Sequence, residues 1–113
     1  MGIVYVHYAL GFVLVLASLA AIFWAPARRY ILYVLVLQIV LGAAVWGITK
    51  YPPPAPHWIL AILSGGTYAM ATAFERKGRP TSLVLGALAL GFVIIAYVFY
   101  VGMHAWKLMA PAA

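Results

Sequence analysis

The 113-residue sequence predicts an all-α fold: an integral membrane four-helix up-and-down bundle with both termini on the outer side. Three observations carry that expectation. Apolar residues make up 68% of the chain and charged residues 7%, against about a quarter charged in soluble domains. Four apolar runs, at residues 3–24, 30–49, 57–74 and 82–106, each approach the roughly 20 residues that a spanning helix needs. The basic residues gather in two connections, with Arg28 and Arg29 between the first and second runs and Arg76, Lys77 and Arg79 between the third and fourth. Alternating helices put both connections on one side, and the positive-inside rule makes that side cytoplasmic in a cell membrane. Residues 1–113 read as a single four-span transmembrane domain.

The same numbers remove whole classes of function. The net charge is +6, and five of the seven basic residues sit in the two connections with only Lys50 and Lys107 opposite, so the charge is a topology signal and the partner it implies is membrane lipid and not nucleic acid. The chain has no cysteine, which excludes disulfides, thiolate-ligated haem, iron–sulfur clusters and covalent c-type attachment. Its one acidic residue, Glu75, cannot form the carboxylate pair that glycoside hydrolysis requires. The first run lacks a basic leader and exceeds the usual apolar length of a signal peptide, so it is expected to be a helix of the mature protein. Redox chemistry in such a chain must come from a bound cofactor.

Taken in order, helix 1 places His7 about one turn inside its outer end, with Gly11, Leu14 and Ser18 following on roughly the same face. Trp24 and Pro26 are expected to close it. Helix 2 carries the comparable stripe Gln38, Leu41, Gly42, Val45 and Thr49. Small residues on such stripes allow close approach of another helix or of a flat ligand. The outer loop holds Pro52, Pro53, Pro54 and Pro56, and Pro56 suits the first turn of helix 3, where its missing donor is no loss. Helix 3 continues from His57 through Ala61, Ser64, Gly65, Tyr68 and Thr72, and Thr81 or Ser82 can cap helix 4.

An amide in an apolar run points inward, because an unsatisfied polar group in hydrocarbon costs several kcal/mol. Gln38 is such a group. His7 and His57 start helices that run in the same direction, so both reach the outer leaflet. Two imidazoles at one height on different helices can bind an iron from its two faces, as helical bundles hold b-type haem. The expected site is therefore one haem b per chain with His7 and His57 as metal ligands. Gln38, Gly11, Gly42, Ala61 and Gly65 would line it, and Lys50 and Lys107 would face the propionates. A bis-His iron has no open position and favours electron transfer. Plainer roles stand beside these: His104 as an interfacial residue that could also replace either ligand, Tyr97 and Tyr100 as interfacial or packing aromatics, and Glu75 as a solvated partner of Arg76 and Lys77.

The segment Gln38-Ile39-Val40-Leu41-Gly42, with His57-Trp58-Ile59-Leu60-Ala61 after a short loop, resembles the Q-x-x-L-G and H-x-x-x-A elements of the heme A synthase family. In that family each four-helix half carries a histidine on the helix before the glutamine helix and another on the helix after it. His7 and His57 match those axial ligands. The likeness covers helices 1 to 3, about two-thirds of the chain, and implies one half of an eight-helix protein, hence a homodimer if the full architecture is needed. Val4 and Tyr8 stand where the catalytic half has a glutamate and usually an arginine, and the outer-loop cysteine pair of some members is absent. The resemblance thus implies haem binding more firmly than oxidation of a haem methyl group.

The expected function is that of a membrane b-type cytochrome, or of a haem-bearing subunit of a respiratory-chain complex, in electron transport. One alternative is an oxidoreductase, a compact heme A synthase acting as a homodimer. The other is a cofactor-free structural subunit of a larger membrane complex, with glycine stripes packed on partner helices.

Overall fold

The computed structural model describes the backbone of residues 2–109 and the side chains of residues 2–105. It is all-helical: α1 (Gly2–Phe23), α2 (Ala25–Thr49), α3 (Ala55–Arg76) and α4 (Thr81–Met109). Each helix packs on its two neighbours in the closed order α1–α2–α3–α4, and the diagonal pairs do not meet through their backbones among the described residues. Short connections make consecutive helices antiparallel neighbours, giving an up-and-down bundle of 50 × 21 × 19 Å.

The boundaries follow local chemistry. Trp24 alone separates α1 from α2, so Pro26 does not close α1. It occupies the first turn of α2, where a residue without an N–H leaves no donor unpaired. Arg28 and Arg29 accordingly lie inside α2 and not in a loop. Pro56 takes the equivalent place in α3, after Pro54 at the cap. The end of α3 depends on Gly78, whose φ of 67° suits a residue without Cβ. There the Gly78 N–H bonds Glu75 O at 3.2 Å and the Arg79 N–H bonds Phe74 O at 2.9 Å, the paired bonds of a Schellman ending. Thr81 and Ser82 do not cap α4. Both are already helical, and the Pro80 carbonyl accepts from the N–H groups of Leu83 (3.0 Å) and Val84 (3.4 Å).

Three segments are long and apolar enough to cross a membrane by length and composition: Gly2–Phe23, Ala25–Thr49 and Thr81–Ala105. The fourth expected span, α3, equals α1 at 22 residues but carries Ser64, Thr67 and Thr72. Each hydroxyl is satisfied within the helix, bonding Ala61 O, Leu63 O and Tyr68 O at 2.6, 3.0 and 3.0 Å. The polarity that lowers its hydropathy is thus turned inward.

The core is built from Leu14, Ile31, Leu35, Tyr68, Ala71, Val84, Ala87, Leu88 and Ile95. It fills the middle of the bundle and the half beside the basic turns, leaving the opposite end open. Ser18 and Ser64 are fully buried within it. The Tyr68 ring lies over Gly91, where a Cβ would stand 2.7 Å from Cζ, and its hydroxyl is buried without a hydrogen-bond partner.

The basic end is closed by Arg28. Its Nε donates to Ala21 O (2.7 Å), Nη2 to Ile22 O (3.1 Å) and Nη1 to Glu75 Oε2 (2.9 Å). Glu75 therefore pairs with Arg28 of the neighbouring α2 and is not the counter-ion of Arg76 and Lys77. The carboxylate is half-exposed, so the ion pair itself stabilises little, whereas the two carbonyl bonds hold the end of α1 onto α2. Arg28→Ala is expected to cost about 2 kcal/mol in detergent unfolding, and Glu75→Gln under about 1 kcal/mol. Equal losses would make the ion pair the main tie. Tyr68→Phe removes a buried hydroxyl that interacts with Ser18 without a well-formed hydrogen bond, and is expected to change stability by less than about 1 kcal/mol, measured the same way.

Candidate functional site

His7 and His57 sit on α1 and α3, a diagonal pair of the ring. Their side chains nonetheless meet over the centre of the bundle, with ring centroids 6.2 Å apart and planes at 84°. Both face a cleft of about 290 Å³ at the end of the bundle where α1 and α3 begin. Gln38, Gly11, Gly42 and Ala61 also line it, as does the outer loop through Tyr51, Pro53 and Pro54. Gly65 does not. It lies one turn deeper, where a Cβ would make ordinary contact with Leu35 Cδ2 at 3.7 Å.

Two backbone carbonyls anchor the polar side chains. His57 Nδ1 lies 2.9 Å from Val98 O. A carbonyl can only accept, so Nδ1 carries the proton and Nε2 keeps its lone pair. Gln38 Nε2 donates to His7 O at 2.6 Å, tying the backbone of α1 at the histidine to α2.

A missing Cβ makes room for both contacts. In a helix the carbonyl of residue i lies beside residue i+4, and each anchored carbonyl has glycine there. Gly102 follows Val98, and a Cβ on it would lie 2.6 Å from His57 Cε1; Gly11 follows His7, and a Cβ on it would lie 3.0 Å from Gln38 Nε2. Gly42 gives the His7 ring its space in the same way, with Cε1 at 3.0 Å. These glycines admit side chains of adjacent helices, a use that a glycine stripe does not reveal by itself.

The Gln38 carboxamide interacts with the His7 ring, and His7 Nδ1 and Gln38 Oε1 are both buried without a hydrogen-bond partner. Each such atom costs about 1–3 kcal/mol, so this is the least satisfied polar point of the described chain. Tyr8 donates to Met103 Sδ at 3.3 Å, and its ring tilts against Phe99 at 5.4 Å between centroids.

α4 supplies Val98, Phe99, Gly102 and Met103 to the cleft, none of them named as site residues from the sequence. The available signal was Gly102 itself, a glycine one turn after a carbonyl that faces a histidine helix. His104 stays out of the cleft. It is exposed and stacks on Tyr100, with centroids 6.2 Å apart and planes at 12°, and Tyr100 in turn lies 6.5 Å from Tyr97. Lys50, exposed at the end of α2, adopts a left-handed φ of 65°. The Lys107 side chain lies outside the described residues.

Among the described residues, no three of His, Cys, Asp and Glu gather into a group. Comparison with family models, with curated proteins and with solved structures finds no match to this chain.

Gly102→Ala is expected to push the His57 ring off Val98 O and cost about 1–3 kcal/mol. Gly86→Ala on the same helix, where a Cβ would meet nothing within 4 Å, is expected to stabilise by about 0.5–1 kcal/mol. Unfolding midpoints and the imidazole ¹⁵N shifts of His57 check both, and equal effects at the two glycines would refute the anchoring role of Gly102.

Proposed function

We propose that this chain is a membrane b-type haem protein that carries electrons, with His7 and His57 ligating one haem iron per chain. The observation that carries this reading is the spacing of the two rings. A metal–imidazole bond is about 2.0–2.1 Å and the ring radius adds about 1.15 Å on each side, so two imidazoles on opposite sides of one metal have centroids about 6.3–6.5 Å apart. His7 and His57 are 6.2 Å apart.

The surroundings support the same role. The Nδ1 bond of His57 to Val98 O is the orienting contact that ligand histidines usually make, and it leaves Nε2 for a metal. Gln38 Oε1 is the matching acceptor for a proton on His7 Nδ1, which would satisfy both buried atoms and expose the other nitrogen of His7. Gly11, Gly42 and Ala61 border the cleft, and the exposed Lys50 lies in sequence between its lining residues Thr49 and Tyr51. A bis-His site has no open position, so its chemistry is one-electron transfer. Chemistry needing a carboxylate beside the imidazoles finds none here, because Glu75 is held by Arg28 at the other end.

The proposal extends to placement. All four helices cross a cell membrane, the basic turns face the cytoplasm, and the haem lies near the outer face. A second copy or a respiratory-complex partner covers part of the lipid-facing surface.

Protein purified in detergent is expected to show the sharp bands of low-spin b-type haem in a reduced-minus-oxidised spectrum. His7→Ala and His57→Ala should each abolish them, while His104→Ala leaves them intact. Gln38→Leu should weaken haem retention without ending it, because the glutamine orients a ligand and does not supply one. Ring planes near perpendicular leave the iron d orbitals close in energy, so the ferric protein is expected to give a strongly anisotropic low-spin electron paramagnetic resonance signal. Wild-type protein that binds no added haem would end this reading.

A further inference from the structure

The basic end of the bundle holds a second hollow, of about 420 Å³. It lies between α2 and α3, the most loosely packed pair of neighbours. Its walls are Leu32, Ala69 and Ala73, with Thr72 beside them, and Arg76 and Lys77 stand at its rim. Arg29 precedes Leu32 by one turn on the same side of α2.

We infer that this hollow is a binding site for one anionic phospholipid, with the phosphate against Arg76 and Lys77 and an acyl chain along Leu32, Ala69 and Ala73. The charge balance supports it. Glu75 is the chain's one acidic side chain, and Arg28 holds it, so no side-chain carboxylate is left to neutralise Arg76 and Lys77. An apolar slot ending in two unneutralised cations matches a lipid in which an anionic group terminates hydrocarbon. Basic hollows between helices on the cytoplasmic side of membranes are suited to such head groups. A soluble anion would gain nothing from the apolar walls. The inference rests on the membrane placement proposed above and not on the haem, so loss of haem bands and loss of lipid are separate results.

The test uses the whole chain in nanodiscs of equal parts phosphatidylglycerol and phosphatidylcholine, with retained lipid counted by native mass spectrometry after release. Wild type is expected to keep one phosphatidylglycerol, at least about tenfold over phosphatidylcholine. Arg76→Gln and Lys77→Gln should each lower retention about fivefold, and the pair about 25-fold. Lys77→Arg should hold it, and Ala73→Phe, which fills the slot but keeps both cations, should lower it as well. Arg79→Gln, which removes one charge from the turn outside the hollow, should leave retention within about twofold. Equal loss with Arg79→Gln would mean a diffuse basic belt. Full displacement by inorganic phosphate would mean a site for free anion, and unchanged retention in Ala73→Phe would mean that no chain occupies the slot. Each of those results overturns the inference.

Discussion

Two backbone carbonyls in the interior, His7 O and Val98 O, are reached by side chains of adjacent helices, and the cleft depends on that access. A helix carbonyl is normally screened by the side chain one turn further on, and an apolar bundle has no water to take the place of a lost bond. Glycine at positions 11 and 102 lifts the screen. Gln38 and His57 then bind firmly enough to hold α1 to α2 and α3 to α4. The imidazoles are therefore positioned by the packing of all four helices, although they come from two helices that do not touch through their backbones.

This arrangement divides the bundle along its length. The middle and the basic half are filled by aliphatic side chains, by Tyr68 over Gly91 and by the Arg28 clamp. The other end keeps its space open and contains the unpaired atoms His7 Nδ1 and Gln38 Oε1. The cost of those unpaired atoms is offset by apolar burial in the rest of the bundle. Where a ligand completes the polar end, its binding also stabilises the fold.

The charged residues obey the same separation. Arg28 spends its donors on Ala21 O, Ile22 O and Glu75, which removes the single carboxylate from both the cleft and the α2–α3 hollow. The polar groups of the cleft include the imidazoles, the Gln38 amide and the hydroxyls of Tyr8, Thr49 and Tyr51, and the charged side chains at the hollow are Arg76 and Lys77.

Composition, apolar run length and the spacing of basic residues determined four helices, their order and the inward placement of Gln38, His7 and His57, because those features depend on local hydropathy and helical period. The cap of α2 was misread because Pro26 looks the same in sequence whether it ends one helix or begins the next, and the partner of Glu75 was misread because its nearest cations in sequence are not its nearest in space. Tertiary structure alone decided that Gly65 falls below the cleft, that His104 stacks on Tyr100 outside it, and that Gly102 of α4 makes room for His57. Each of those outcomes turns on the rotation of one helix against another, a quantity fixed by interdigitating side chains across the bundle and carried by no single segment of the chain.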